Sequence, residues 1–139
     1  MSPAAPVSEK HPVGGIVDVC GVYYDREGWR AYLGLFAREV PAYLDRFGRR
    51  FCELAGVDEG EYRRALEHSP AEAVDLLLEE RSLSPGEVDY LSGLAMQNVE
   101  LQVIHGIDAP HPEAGTVNEW LAGVARRSGG RLQAWAGLD

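Results

Sequence analysis

The stretch NVELQVIHG, Asn98–Gly106, decides the fold. Val99, Leu101 and Val103 alternate with Glu100 and Gln102, the period of a strand, and Gly106 ends the run. A loop from Ile107 to Gly115 comes next, with Pro110 and Pro112 inside it. Thr116-Val117-Asn118-Glu119 then has the form of a capping box, with a hydroxyl three residues before a carboxylate. It opens a helix through Trp120, Leu121, Val124 and Ala125 to Arg126-Arg127, where the two cations suit the negative helix end and Ser128-Gly129-Gly130 stops it. Arg131–Asp139 reads as a strand again. Strand, helix, strand makes a β-α-β unit, so the two strands are expected to be parallel with a right-handed crossover.

Working outward to the N-terminus, residues 15–23, GIVDVCGVY, carry β-branched residues and little charge, which suits a strand buried on both faces. Asp25 is placed to cap the helix after that strand. From Glu27 to Leu54, apolar residues such as Trp29, Leu33, Phe36, Leu44 and Phe51 recur at spacings of three and four, a helical stripe. Pro41 lacks an N–H and must kink or split that helix. Asp58-x-x-Glu61, Ser69-Pro70-x-Glu72 and Ser84-Pro85-x-Glu87 mark three further helix starts, predicting helices near 59–67, 70–80 and 85–96. One domain is expected over 1–139: a flexible arm at 1–13, a strand, a helical insertion at 26–96, and a β-α-β unit at 98–139.

The 139 residues suffice for one sizeable core, and 45% hydrophobic with 25% charged residues is the balance of an ordinary globular chain. A formal net charge of -9 supplies no basic stripe for releasing nucleic-acid counterions, so no nucleic-acid partner is expected. No apolar run reaches the ~18 residues of a membrane span. Two cysteines, Cys20 and Cys52, do not make a disulfide scaffold; a cytoplasmic location with both thiols reduced is the expectation.

Three pieces stand in a familiar order: a first strand with Asp18 near its end and Tyr23-Tyr24 after it; a strand ending Ile104-His105-Gly106-Ile107-Asp108; and Thr116-Val-Asn-Glu-Trp-Leu-Ala followed by Arg131-Leu-Gln-Ala-Trp-Ala-Gly-Leu-Asp139. Together they resemble the amidohydrolase superfamily, in the branch of metal-dependent hydrolases and decarboxylases related to aminocarboxymuconate semialdehyde decarboxylase. The resemblance covers roughly residues 14–24 and 98–139 and implies the first three βα units of a TIM barrel, whose full form takes about 250 residues. The implied fold is α/β, a partial TIM-barrel-like open parallel sheet of about three strands with a large helical insertion between strands one and two. The family's first strand carries Asp-x-His-x-His, with both histidines on the catalytic metal. Here those positions are Cys20 and Val22, and valine cannot ligate; no metal and no cofactor are expected.

Active sites of parallel α/β folds gather at the carboxyl ends of strands. That rule selects Cys20, Tyr23, Tyr24, His105 and Asp108 as candidate catalytic groups, and Asp18, Val22, Trp29 and Asp139 as candidate substrate contacts. Each has a structural reading beside the functional one. Cys20 reads as a core thiol or as the partner of a His105 imidazole. His105 reads as a strand-end residue or a general base, and Asp18 as a loop anchor. The tyrosines read as pocket walls or acids, and the aromatic stripe as helix core or cavity lining. His105 and His111, with Asp108 between them, match no metal-ligand spacing.

Two functions from different classes are consistent with these residues. One is a half-barrel enzyme without its metal, acting on a small, largely apolar substrate by acid/base chemistry such as cyclisation, dehydration or proton transfer. The other is a non-catalytic subunit that completes a partner carrying the remaining strands, or a truncation of a longer hydrolase or decarboxylase. Because three parallel strands leave open edges, a homo-oligomer or a partner chain completing the sheet is expected.

Overall fold

The computed structural model describes residues 14–80 and 83–137. The proposed flexible arm at 1–13 lies outside them, as does Asp139. Strand β1 (Ile16–Gly21) leads into five helices: α1 (Arg26–Glu39), α2 (Ala42–Ala55), α3 (Glu59–His68), α4 (Pro70–Leu77) and α5 (Glu87–Met96). Then come β2 (Val99–His105), a small hairpin of β3 (Pro110–His111) and β4 (Gly115–Thr116), α6 (Val117–Arg127) and β5 (Leu132–Trp135). The architecture is mixed α/β. Its main sheet has three strands in the order β1-β2-β5, paired in parallel throughout.

Local chemistry accounts for most boundaries. Asp25 caps α1 by accepting from the Gly28 amide at 2.8 Å. Pro41 separates α1 from α2, as its missing N–H requires. Asp58 caps α3 through the Glu61 amide, and Ser69 caps α4 through the Ala71 amide. The Thr116 capping box forms in full, its hydroxyl taking the Glu119 amide and the Glu119 carboxylate taking the Thr116 amide.

Several expectations need correction. Ser84 does not cap a helix: α5 starts at Glu87 with Gly86 as its cap residue, and the Pro85 carbonyl accepts from the Tyr23 hydroxyl instead. Helix α4 ends at Leu77, and the segment 107–115 holds the β3–β4 hairpin inside what reads as loop. Strand β1 is not buried on both faces, since Ile16, Val17 and Val19 are each more than half exposed. The reason is its place at the sheet edge.

Side-chain alternation divides the sheet. Ile104 and Leu132 join the main core with Ala134 packed against it, and Gln102, on the same side of β2, accepts from Tyr90 of α5. Leu101, Val103 and His105 face the other way, with Val17 opposite Leu101 and Trp135 opposite His105. On this second face Val103 is buried at the centre, while Val17 and Trp135, on the two outer strands, are half or more exposed. The core itself is continuous: Leu33, Leu44, Tyr62, Leu77, Ile104, Leu121 and Val124 are fully or almost fully buried in one cluster joining the helices to the sheet.

Candidate functional site

Strand β1 begins the region with a polar chain rather than a ligand set. Asp18 accepts from Gln102 Nε2 at 2.7 Å and from the Cys20 amide at 3.0 Å. The Gln102 bond, then the Cys20 amide, holds the Asp18 carboxyl below its ordinary range. Gln102 in turn accepts from the Tyr90 hydroxyl. Asp18 therefore ties β1 to β2 and α5. Cys20 is exposed, and Val22 is 40% exposed.

The aromatic residues after β1 turn into the core. Tyr23 stacks on Tyr90 with centroids 4.2 Å apart and donates to the Pro85 carbonyl. Tyr24 donates to the His105 carbonyl at 2.7 Å, and Trp29 donates from Nε1 to the Leu83 carbonyl. Burial pushes Tyr23 and Tyr24 up to about 12. Their hydroxyls are committed to backbone acceptors, and neither residue lines the cleft that holds Asp108.

His105 sits on the second sheet face. Its Nε2 lies 2.8 Å from the Val19 carbonyl, so Nε2 carries the proton and donates. The ring meets Trp135 edge-on at 5.7 Å. Its Nδ1 has no hydrogen-bond partner among the described residues, which leaves it available as a base. No hydrogen bond joins Cys20 to His105 among those residues, so the thiol–imidazole pair is not formed in this geometry.

Asp108 lies elsewhere. It lines a cleft of about 420 Å³ at the carboxyl ends of β2 and β5. One wall is the α1 face of Ala31, Leu35 and Arg38; the other runs from Gly106 to Pro110, with Gly137 at its end. The floor is rigid. A Cβ at Gly137 would collide with the Gly106 carbonyl and the Ile107 Cα, so only glycine allows this approach. Asn118 clasps Gly137 from both sides, donating to its carbonyl at 2.9 Å and accepting from its amide at 3.0 Å. A wider hollow of about 620 Å³ lies between the end of α4 and the start of α5, lined by Arg26, Glu79 and Asp89 among others. It includes Ser84 and Pro85 of the expected helix start but none of the candidate catalytic or substrate-contact residues.

Sequence reasoning missed three contributors. Arg38 is visible only as one cation on a helix. The Asn118 clasp depends on strand ends meeting. His111 is buried, with Nε2 3.0 and 3.1 Å from the two Asp25 oxygens, Nδ1 accepting from the Glu113 amide, and its ring stacked on Trp120. That bond pattern is complete for a neutral imidazole and pins the hairpin to the start of α1. Asp25 and His111 stand 86 residues apart, and no local pattern links them.

The donor set does not fit the metal of the amidohydrolase resemblance. Val22 occupies one ligand position, and no three His, Cys, Asp or Glu side chains converge among the described residues. No helix there is long and apolar enough to cross a membrane. Comparison with protein-family models, curated proteins and solved structures finds no match to this chain.

Proposed function

We propose that this chain is a sheet-completing subunit: its three parallel strands form part of a larger, barrel-like sheet whose remaining strands come from a second polypeptide. The amidohydrolase-like order of its motifs is kept in this reading as the origin of the scaffold, with no step routed through a metal. One observation carries it. Ile16, Val17 and Val19, each more than half exposed, lie along the β1 edge of the sheet, and Trp135, half exposed, lies on the opposite edge strand β5. Parallel sheets bury both faces, and an apolar edge without a lysine or proline is a template for pairing.

A second copy of the chain satisfies this surface poorly. Pairing two copies along β1 leaves Val17 and Trp135 on the second face bare. Stacking two such faces covers a flat area of only roughly 230 Å² each, from ~4.8 Å per strand and ~3.3 Å per residue, and leaves the β1 edge unpaired. The partner is therefore a different chain that supplies both a strand beside β1 and a layer over Val17 and Trp135. In its absence the chain should bind a hydrophobic dye, and β1 amides should exchange faster than those of β2. Val17→Lys with Val19→Lys should remove most of the dye signal while leaving the helical circular dichroism unchanged. A compact homodimer that binds no dye and protects β1 as well as β2 would sink the proposal.

A second reading is favoured by the cleft that holds Asp108. Under it the chain acts on a small, largely apolar substrate by metal-free proton transfer, with Asp108 at the cleft as the acid/base group.

A further inference from the structure

The cleft at the strand ends has a charge pattern of its own. Arg38 is the single cation that lines it and Asp108 the single anion. The two form no ion pair with each other, and Arg38 has no carboxylate partner among the described residues. Both residues are exposed at the rim, and neither charge is neutralised by the other. The rest of the lining is Ala31, Leu35, Ile107, Ala109 and Pro110 with the glycine backbones. Arg38 rises from the same α1 face as Leu35, one turn on, and its Nη1 lies over Gly34 at the rim shared with a neighbouring hollow of about 340 Å³. The wall carrying Asp108 is fixed from behind by the Gly106–Gly137 approach and the Asn118 clasp. The site is largely pre-formed, and its size falls in the range of small-ligand pockets.

From this complementarity we infer that the cleft binds a small zwitterion with an apolar body, of the class of an apolar α-amino acid. Its carboxylate meets Arg38, its ammonium meets Asp108, and its side chain lies against Leu35, Ile107 and Pro110. A singly charged ligand would meet only one of the two protein charges. The inference rests on the reading of this cleft as a small-molecule site, and does not depend on sheet completion.

Nuclear magnetic resonance titration of the full chain tests it with three probes that differ only in charge: L-phenylalanine, 3-phenylpropionate and 2-phenylethylamine. L-phenylalanine should shift the amides of α1 and of residues 107–109, and bind about two- to fivefold tighter than either analogue, the scale of one partly exposed ion pair. Arg38→Gln should erase the advantage over 2-phenylethylamine, and Asp108→Asn the advantage over 3-phenylpropionate. An analogue that binds as tightly as L-phenylalanine to the unaltered chain overturns the ligand class while leaving the cleft as a binding site. No shift in the cleft with any of the three overturns both the class and the reading of the cleft.

Discussion

Asp18 and Gln102 face each other across β1 and β2, and their hydrogen bond stabilises the ionised carboxylate. A carboxyl whose folded value lies below its unfolded one, ordinarily 3.8, contributes stability that is full above that value and is lost as pH falls through the lower folded one. Asp18→Asn removes that contribution. Because Asp18 is partly exposed, the expected cost at neutral pH is about 1 kcal/mol. The variant's urea midpoint should also change less than the parent's between about pH 4 and pH 2. Equal acid sensitivity in the two proteins would show that Asp18 is not the group being titrated. Tyr23 and Tyr24 are equally open to two readings by residue type alone. Their hydroxyl acceptors, the carbonyls of Pro85 and His105, place them as braces between β1, α5 and β2.

At the scale of elements, helix ends are where residue type speaks most directly. Asp25, Asp58, Ser69 and Thr116 all cap as their spacing indicates, because a capping oxygen reaches only the amides two or three residues on. Thr116→Ala should cost about 1 kcal/mol, since the cap serves α6 and its loss leaves the first amides unpaired. Chemical denaturation measures this directly, and Thr116→Ser should recover most of the loss. Ser84 shows the limit of such patterns. The Ser-Pro-x-Glu form is present, yet the Tyr23 contact at the Pro85 carbonyl accompanies a helix start two residues later. Strand β1 shows the same limit. Its composition suits a two-sided burial that its edge position denies it.

Across the whole molecule, the tyrosines report how tightly helices and sheet are joined. Burial raises Tyr23, Tyr24, Tyr62 and Tyr90 from 10.0 to about 12. A raised group contributes stability that is complete below the unfolded value of 10.0 and is lost as pH rises through the folded value. Tyrosinate absorbance of the folded chain should therefore rise mainly near pH 12, and near pH 10 in denaturant, with stability falling steeply between the two. A folded-state midpoint at pH 10 would mean that these rings are solvated and the helical block is loose. These four residues belong to α3, α5 and the loop after β1, so the titration tests the packing of the block as one unit.

The sequence by itself determined the elements. It placed strands at 15–23 and 99–105, the break at Pro41, a helix near 59–67 and another from the Thr116 box to Arg127, and a β-α-β close, because periodicity and capping act over a few residues. It also led to Asp108 and His105, through the general rule that sites lie at strand ends. Only the tertiary structure decided that these two sit on different surfaces, that Arg38 and Asp108 share a cleft, and that Asp25 meets His111. Each of those facts depends on chain segments tens of residues apart being brought together by the core. The exposure of Val17 and Trp135 has the same origin: which strands lie at the edges of the sheet is a property of the packing.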